Sequence, residues 1–443
     1  MQALFFDQAL LPDGWARGAR VRIAAGRIAG LEHNAQPQPG DARYVAAVPG
    51  VPNLHSHAFQ RGMAGLAETR GPEDDNFWTW REVMYRFLDG MDPEDVEAVT
   101  AQAFMEMLEG GFTRVGEFHY LHNDRNGRPY ADPAELSRRV AAAAAQTGIR
   151  LTLLPVFYAH GGFGAAPPAP GQRRFVTTLD GFARLLEAVR GFEGVTVGVA
   201  PHSLRAVSPP ELAAVCAMQE GGPIHIHAAE QVREVEDCLA WSGARPVEWL
   251  LEHAGVDARW CLIHATHMTP GETEGLARSG AVAGLCPVTE ANLGDGIFPA
   301  DAFRALGGGY GVGTDSNVSI GVAQELRTLE YGQRLALRAR NVMAGEEGRS
   351  TGRALFEATL ESGAAALGAE APRLSEGAPA DLVALDPGLV EGGGDRVLDG
   401  WIFSAGRVDS VWVGGEQLVA GGRHRARDAI EARARQTLRR LLG

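Results

Sequence analysis

AVPGVPNLHSHAFQ, residues 47–60, sets an apolar run against two histidines one residue apart. Side chains two apart on an extended strand point the same way, so His55 and His57 share a side. Taken alone, the pair reads as two polar residues of a turn. Matching ligands at other strand ends would turn it into a metal clamp, so the rest of the chain decides.

Seven more apolar segments follow at helix-sized intervals: TRVGEFHY (113–120), IRLTLLPVFY (149–158), VTVGVAPHS (195–203), GPIHIHAAE (222–230), WCLIHATHM (260–268), GAVAGLCPV (280–288) and GGYGVGTDS (308–316). Helix starts stand between them. MDPEDVEAV, ADPAELSRR, VSPPELAAV and MTPGETEGL each carry Asp, Ser or Thr, then Pro, with an acid three residues after the cap. Eight strands alternating with helices predict an α/β fold, a (β/α)₈ TIM barrel. An open doubly wound sheet would want the phosphate-binding GxGxxG, which is missing. At the ends, ALFFDQALL and RVRIAAGRIAGLE, then ADLVALDP, RVDSVWVGG and EQLVAGGRH, read as short strands broken by Gly and Asp. They predict a small β-sandwich domain built from both termini: residues 1–47 and 373–443, the latter with a terminal helix, around a barrel of 48–372.

Catalytic groups of such a barrel stand at the C-terminal ends of its strands. Here His55 and His57 end strand 1, Glu117, His119 and Tyr120 strand 2, His202 strand 4, His225 and His227 strand 5, His264 and His267 strand 6, and Asp315 strand 8. Matching histidines on strands 5 and 6 and an aspartate on strand 8 convert the H-x-H pair into half of a metal site, since imidazole suits zinc and other borderline metals. Spacing leaves His225 and His227 open as the strand-5 ligand. His267 reads as a helix-entry residue, because Thr269-Pro270 begins the next helix. Glu230 falls in the loop or first helical turn after strand 5, where the helix dipole favours a carboxylate and the same site is within reach.

Composition excludes several classes. A formal charge of −14 over 443 residues argues against nucleic acid or an anionic membrane as partner. The acid in MQALFFD speaks against a signal peptide, and no apolar stretch is long enough to span a bilayer, so a cytoplasmic location is expected. Cys216, Cys238, Cys261 and Cys286 are scattered, as free thiols would be. Every basic residue is arginine. That removes any Schiff-base, P-loop or metal-bridging carboxylated lysine.

The pattern resembles the amidohydrolase superfamily: H-x-H on strand 1, His on strands 5 and 6, Asp on strand 8, and a return motif like LSEGAPADLVALD (374–386). The absence of lysine and the HxxE after strand 5 place the resemblance among its mononuclear deaminases. Within these, NLHSHAFQRGMAG, FWTWREVMY, GEFHYLH, PHSLRAVSP, HIHAAEQ, HATHM, GLCPVTEANLGDGIFP and GTDSNVSI are similar to the formimidoylglutamate deiminase family. That resemblance implies hydrolysis of a formimidoyl amidine, one Zn²⁺ per subunit on His55, His57, His227 and Asp315, and a homodimer. It implies catalytic roles for Glu230, His264 and Asp315. A small-molecule substrate with two carboxylates calls for arginines, and Arg205 and Arg81 stand in strand-end loops to meet them. Whether Arg81 serves its own site or a neighbour's is left open. Gln60, Tyr120 and His202 are the further substrate-binding candidates. Phe77, Trp78 and Trp80 read as loop anchors or a lid, and as core before substrate contacts; Pro167–Pro170 reads as a flexible loop after strand 3, near the mouth. The competing readings are another mononuclear deaminase or chlorohydrolase acting on a nucleobase-like ring, and a metal-free barrel serving as an assembly partner.

Overall fold

The computed structural model describes residues 2–71 and 75–443. Strands from both ends of the chain form one eight-stranded sheet. Its pivot is Ala42–Pro49, parallel to Gln2–Leu11 on one side and antiparallel to Leu382–Asp386 on the other. The sheet curls until its two halves meet: Ala380 donates to the Gly26 carbonyl and accepts from the Gly415 amide, both at 2.9 Å. Inside the curl Trp412 packs edge-on against Phe6 and Tyr44.

Two residues after Pro49 the barrel begins. Its strands are Val51–Ser56, Phe112–His119, Arg150–Phe157, Thr196–Val197 with Ala200–Pro201, Ile224–Ala228, Trp260–His264, Val282–Leu285 and Tyr310–Val312. Neighbours pair in parallel, and the first strand is buried at every residue, as expected where helices cover one face and the barrel interior the other. The fourth strand is interrupted, yet its Val199 and Ser203 bridge to Ile224 and His227. The ring closes where strand 8 meets strand 1. Thr314 and Asp315 both donate to the His55 carbonyl at 3.0 Å, and His57 donates to that of Asp315 at 2.9 Å. Gly313 permits this approach, because a Cβ there would lie 2.7 Å from the His55 oxygen.

Three of the four expected helix starts are built as the capping rule requires. Asp92 and Asp95 cap each other's amides, Thr269 and Glu272 do the same, and Glu211 accepts from Ser208 N and Oγ. The start expected at Asp132-Pro133 is displaced. Asp132 instead accepts from Ala134 N, which stands as N-cap of a helix beginning at Glu135. The terminal helix, Arg427–Leu442, docks on the helix Pro93–Glu109 through ion pairs from Arg427 to Glu109 and from Arg433 to Glu97.

The segment expected to be an aromatic loop is a helix, Phe77–Asp89. Asn76 accepts from Trp78 N, and Thr79 Oγ1 accepts from Asn76 N, which satisfies two amides of its first turn. Phe77, Trp80, Arg81, Met84 and Tyr85 fall at helical spacing on one face, which turns toward the barrel mouth. Phe77, Trp78 and Trp80 are accordingly half-buried rather than core. Pro167–Ala169 do form a loop, ending in a short 3₁₀ turn at Pro170–Gln172 that seats against Tyr85.

Candidate active site

Four ligand-type side chains converge at the ring's closure. His55 Nε2 lies 3.2 Å from His227 Nε2 and 3.4 Å from Asp315 Oδ1, and His57 Nε2 lies 3.3 Å from the same oxygen. All four are buried. The outer nitrogens fix the rings. His57 Nδ1 donates to the Phe118 carbonyl at 2.9 Å and His227 Nδ1 to that of His202 at 3.0 Å. With the proton on Nδ1, each Nε2 presents a lone pair inward. Burial lowers the pKa of all three rings, that of His55 to about 3, so they stand neutral. Burial works against ionised Asp315 too, but the His55 hydrogen bond and the surrounding histidines hold it below the ordinary carboxylate range. The His57 lone pair thus faces a carboxylate oxygen, a repulsive contact that one cation at the centre would satisfy. Three imidazoles and one carboxylate fit a zinc-type ion.

Geometry also separates the strand-5 histidines. His225 Nε2 bonds to the Ala366 carbonyl at 2.6 Å, away from the cluster, whereas His227 belongs to it. His267 turns outward to the Asp295 carbonyl at 2.8 Å, as a helix-entry residue should. His264 faces the cluster: its Nε2 is 3.8 Å from Glu230 Oε1 and 3.9 Å from Asp315 Oδ2. Burial opposes charge on this ring, but Glu230, Glu290 and Asp315 outweigh it and push its pKa up to about 10. Burial pushes Glu230 up to about 7, a value at which a carboxyl can both give and take a proton near neutrality. Five non-glycine residues with positive φ cluster at these strand ends: Ala229, His264, Ala265, Asp315 and Asn317. Backbone strain of this kind persists where the surroundings over-determine it.

The remaining sequence candidates meet in the same cavity. Gln60, Arg81, Tyr120, His202 and Arg205 line it together with Phe77, Trp80, Met84, Tyr85, Tyr158, Phe175 and Leu293. Gln60 Nε2 donates to Tyr120 Oη at 2.7 Å, while Gln60 Oε1 is buried without a partner. Arg81 lines its own chain's cavity, stacks on Trp78 with Cζ 4.4 Å from the ring centre, and carries a buried Nε with no partner. Arg205 lies 3.9 Å from both Glu230 and Glu234, and its Nε is likewise unpartnered. Glu117 and His119 stay behind the cavity. Glu117 accepts from Ala58 N at 2.7 Å, supporting the turn that follows His57.

Sequence reasoning passed over Glu290, Glu234 and the cavity aromatics Tyr85 and Tyr158. Glu290 lies in the quoted stretch GLCPVTEANLGDGIFP, so the segment was visible but its acid went unassigned. The tyrosines gave no signal of their own.

The amidohydrolase family model matches residues 46–418, and the model for the N-terminal domain of formimidoylglutamate deiminase HutF matches residues 1–44. The chain is 50% identical over 453 aligned residues to a formimidoylglutamate deiminase of Pseudomonas aeruginosa, covering 100% of this chain and 99% of that protein. It is 29% identical to a 5-methylthioadenosine/S-adenosylhomocysteine deaminase of Natronomonas pharaonis, over 78% and 74% of the two chains. Among solved structures, an amidohydrolase from Brucella melitensis superimposes with a TM-score of 0.97 at 56% identity, covering both chains fully. An adenosine deaminase from Xanthomonas campestris with bound zinc shares the fold, with a TM-score of 0.80 at 23% identity over 99% and 98% of the two chains.

Proposed function

Since the chain belongs to the amidohydrolase family, we propose that it is a formimidoylglutamate deiminase, converting N-formimidoyl-L-glutamate and water to N-formyl-L-glutamate and ammonia in histidine degradation. One observation carries the choice of substrate. Two guanidiniums with unpartnered buried Nε atoms, Arg81 and Arg205, share a cavity with the histidine–aspartate cluster. A neutral nucleobase would need neither, whereas a dicarboxylate needs both.

His55, His57, His227 and Asp315 would hold one Zn²⁺ per subunit, which when bound lowers the pKa of water toward neutrality and polarises the amidine. Asp315 takes the proton from the attacking water. His264, 3.9 Å from Asp315 Oδ2, helps orient that water and its proton. Glu230 then delivers a proton to the nitrogen that departs, so that the C–N bond breaks with ammonia rather than its anion as leaving group. Arg81 and Arg205 bind the two carboxylates, and Gln60, Tyr120 and His202 supply hydrogen bonds between them. The cavity aromatics exclude water from the remainder of the substrate.

The same reading makes the enzyme a cytoplasmic homodimer. The four cysteines are all unpaired, as a reducing compartment keeps them. Tyr331, Leu335 and Leu337 expose apolar side chains along one helix, Val322–Leu337, which suits burial against a second subunit. An ammonia-release assay tests the reaction, with N-formimidoyl-L-glutamate set against N-formimidoyl-L-aspartate, guanine and cytosine. Turnover of the glutamate amidine above the others is expected; preference for a base would defeat the assignment. Metal analysis and light scattering on the purified protein test the zinc and the dimer.

A further inference from the structure

Glu290 is buried beside the site and has no role in the reaction as derived above. Its Oε1 accepts two hydrogen bonds, from His264 Nδ1 at 3.2 Å and from Cys286 N at 2.9 Å. Cys286 is the N-cap of the helix Pro287–Leu293, so the carboxylate is anchored to the first turn of a fixed element. His264 itself sits on backbone at φ +69°, in the left-handed region that non-glycine residues seldom occupy. Nothing but Glu290 hydrogen-bonds its Nδ1 among the described residues. Its opposite edge, Nε2, stands 3.8 Å from Glu230 and 3.9 Å from Asp315. Those distances are too long for direct hydrogen bonds and leave room for one bridging atom between the three groups.

We propose that Glu290 is a positioning residue for His264: by accepting from Nδ1 it keeps the proton on that nitrogen and aims Nε2 into the gap between Glu230 and Asp315. A free imidazole could flip about its ring bond and exchange the two nitrogens, withdrawing Nε2 from the gap. A carboxylate fixed on Nδ1 removes that alternative before substrate arrives, as orienting carboxylates do for other reactive histidines. The inference rests on the deiminase reading only in placing His264 among the reacting groups.

The test is a double-mutant cycle with Glu290→Gln, which keeps the size of the side chain, and His264→Asn. In the otherwise native enzyme E290Q should lower kcat by about 10- to 100-fold, the usual cost of losing an orienting partner, with KM little changed. On the His264→Asn background the same substitution should change kcat no further. An equal loss on both backgrounds, or no loss on either, overturns the proposal. Histidine-selective ¹⁵N spectra of the native protein decide it independently of turnover, with the His264 signals identified by their loss in H264N. An Nδ1 proton signal that shifts or broadens on E290Q supports the proposal, and an Nδ1 signal unchanged by E290Q refutes it. If the native enzyme releases no ammonia from N-formimidoyl-L-glutamate, the deiminase reading fails while the Nδ1 signal still rules on Glu290.

Discussion

His57 and Asp315 hold two acceptor atoms, Nε2 and Oδ1, 3.3 Å apart in a buried site. A cation between them relieves the repulsion, so metal binding should stabilise the folded protein as well as activate it. Zinc added to chelator-treated protein at a hundred times its Kd should contribute about 2.7 kcal/mol, seen as a rise in Tm. Asp315→Asn should abolish turnover and blunt that rise. An unchanged Tm response in D315N would remove this aspartate from the metal site.

The two strand-5 histidines should fail in different ways. His227→Ala should leave a folded protein with little bound metal. His225→Ala should retain metal but lose stability by about 1–3 kcal/mol, the cost of leaving the Ala366 carbonyl buried without its donor. Metal analysis together with urea unfolding separates the two, and a metal-free H225A would contradict the geometry.

Substitution of either arginine should weaken substrate capture. Arg205→Gln and Arg81→Gln each remove a charge-assisted bond of about 1.5–3 kcal/mol, which corresponds to a rise in KM of roughly 10- to 150-fold. R205Q should also depress kcat, because Glu230 and Glu234 lose the cation between them. Steady-state kinetics on a series of amidines with one or two carboxylates would show which arginine meets which group. Indifference of both variants to carboxylate removal would exclude the assigned role.

Burial pushes the Glu117 carboxyl up to about 8. The folded state therefore keeps this proton while the unfolded chain releases it near its ordinary pKa of 4.5. This contribution to stability is complete below about pH 4.5 and is lost as pH rises toward 8, by about 1.4 kcal/mol for each unit between. Glu117→Gln cannot ionise, so its urea midpoint should vary less with pH over that window. Equal pH slopes for E117Q and the native protein would show that Glu117 does not carry the effect.

The barrel and the residues that converge at its closure were legible because each leaves a periodic or positional mark. Alternating segments mark the strands, Pro after an N-cap marks helix starts, and histidines collect at strand ends. Asp132 misled because a local side-chain bond to Ala134 competed with the cap. The helix Phe77–Asp89 was missed for a related reason: its cap is Asn76, with no proline after it and Thr79 in place of the usual acid. Its aromatics looked like core because composition does not say which face a helix turns inward, and here that face meets a cavity. His225 and His227 share a strand face, so period could not choose between them; only the Ala366 carbonyl at one ring and the His55 ring at the other did. Glu290 acts through a partner 26 residues earlier in the chain, a pairing that no local spacing encodes.

The bridge between Ser56 and Asp315 joins the first barrel strand to the last. Ribosomal synthesis delivers those two strands at opposite ends of a long interval, so His55 and His57 wait as an incomplete pair until Asp315 arrives. A chain whose ring is still open lacks one of the four groups that could hold an ion. A metal-uptake measurement would therefore report on assembly, reading closure of the ring through the joint between the first strand and the last.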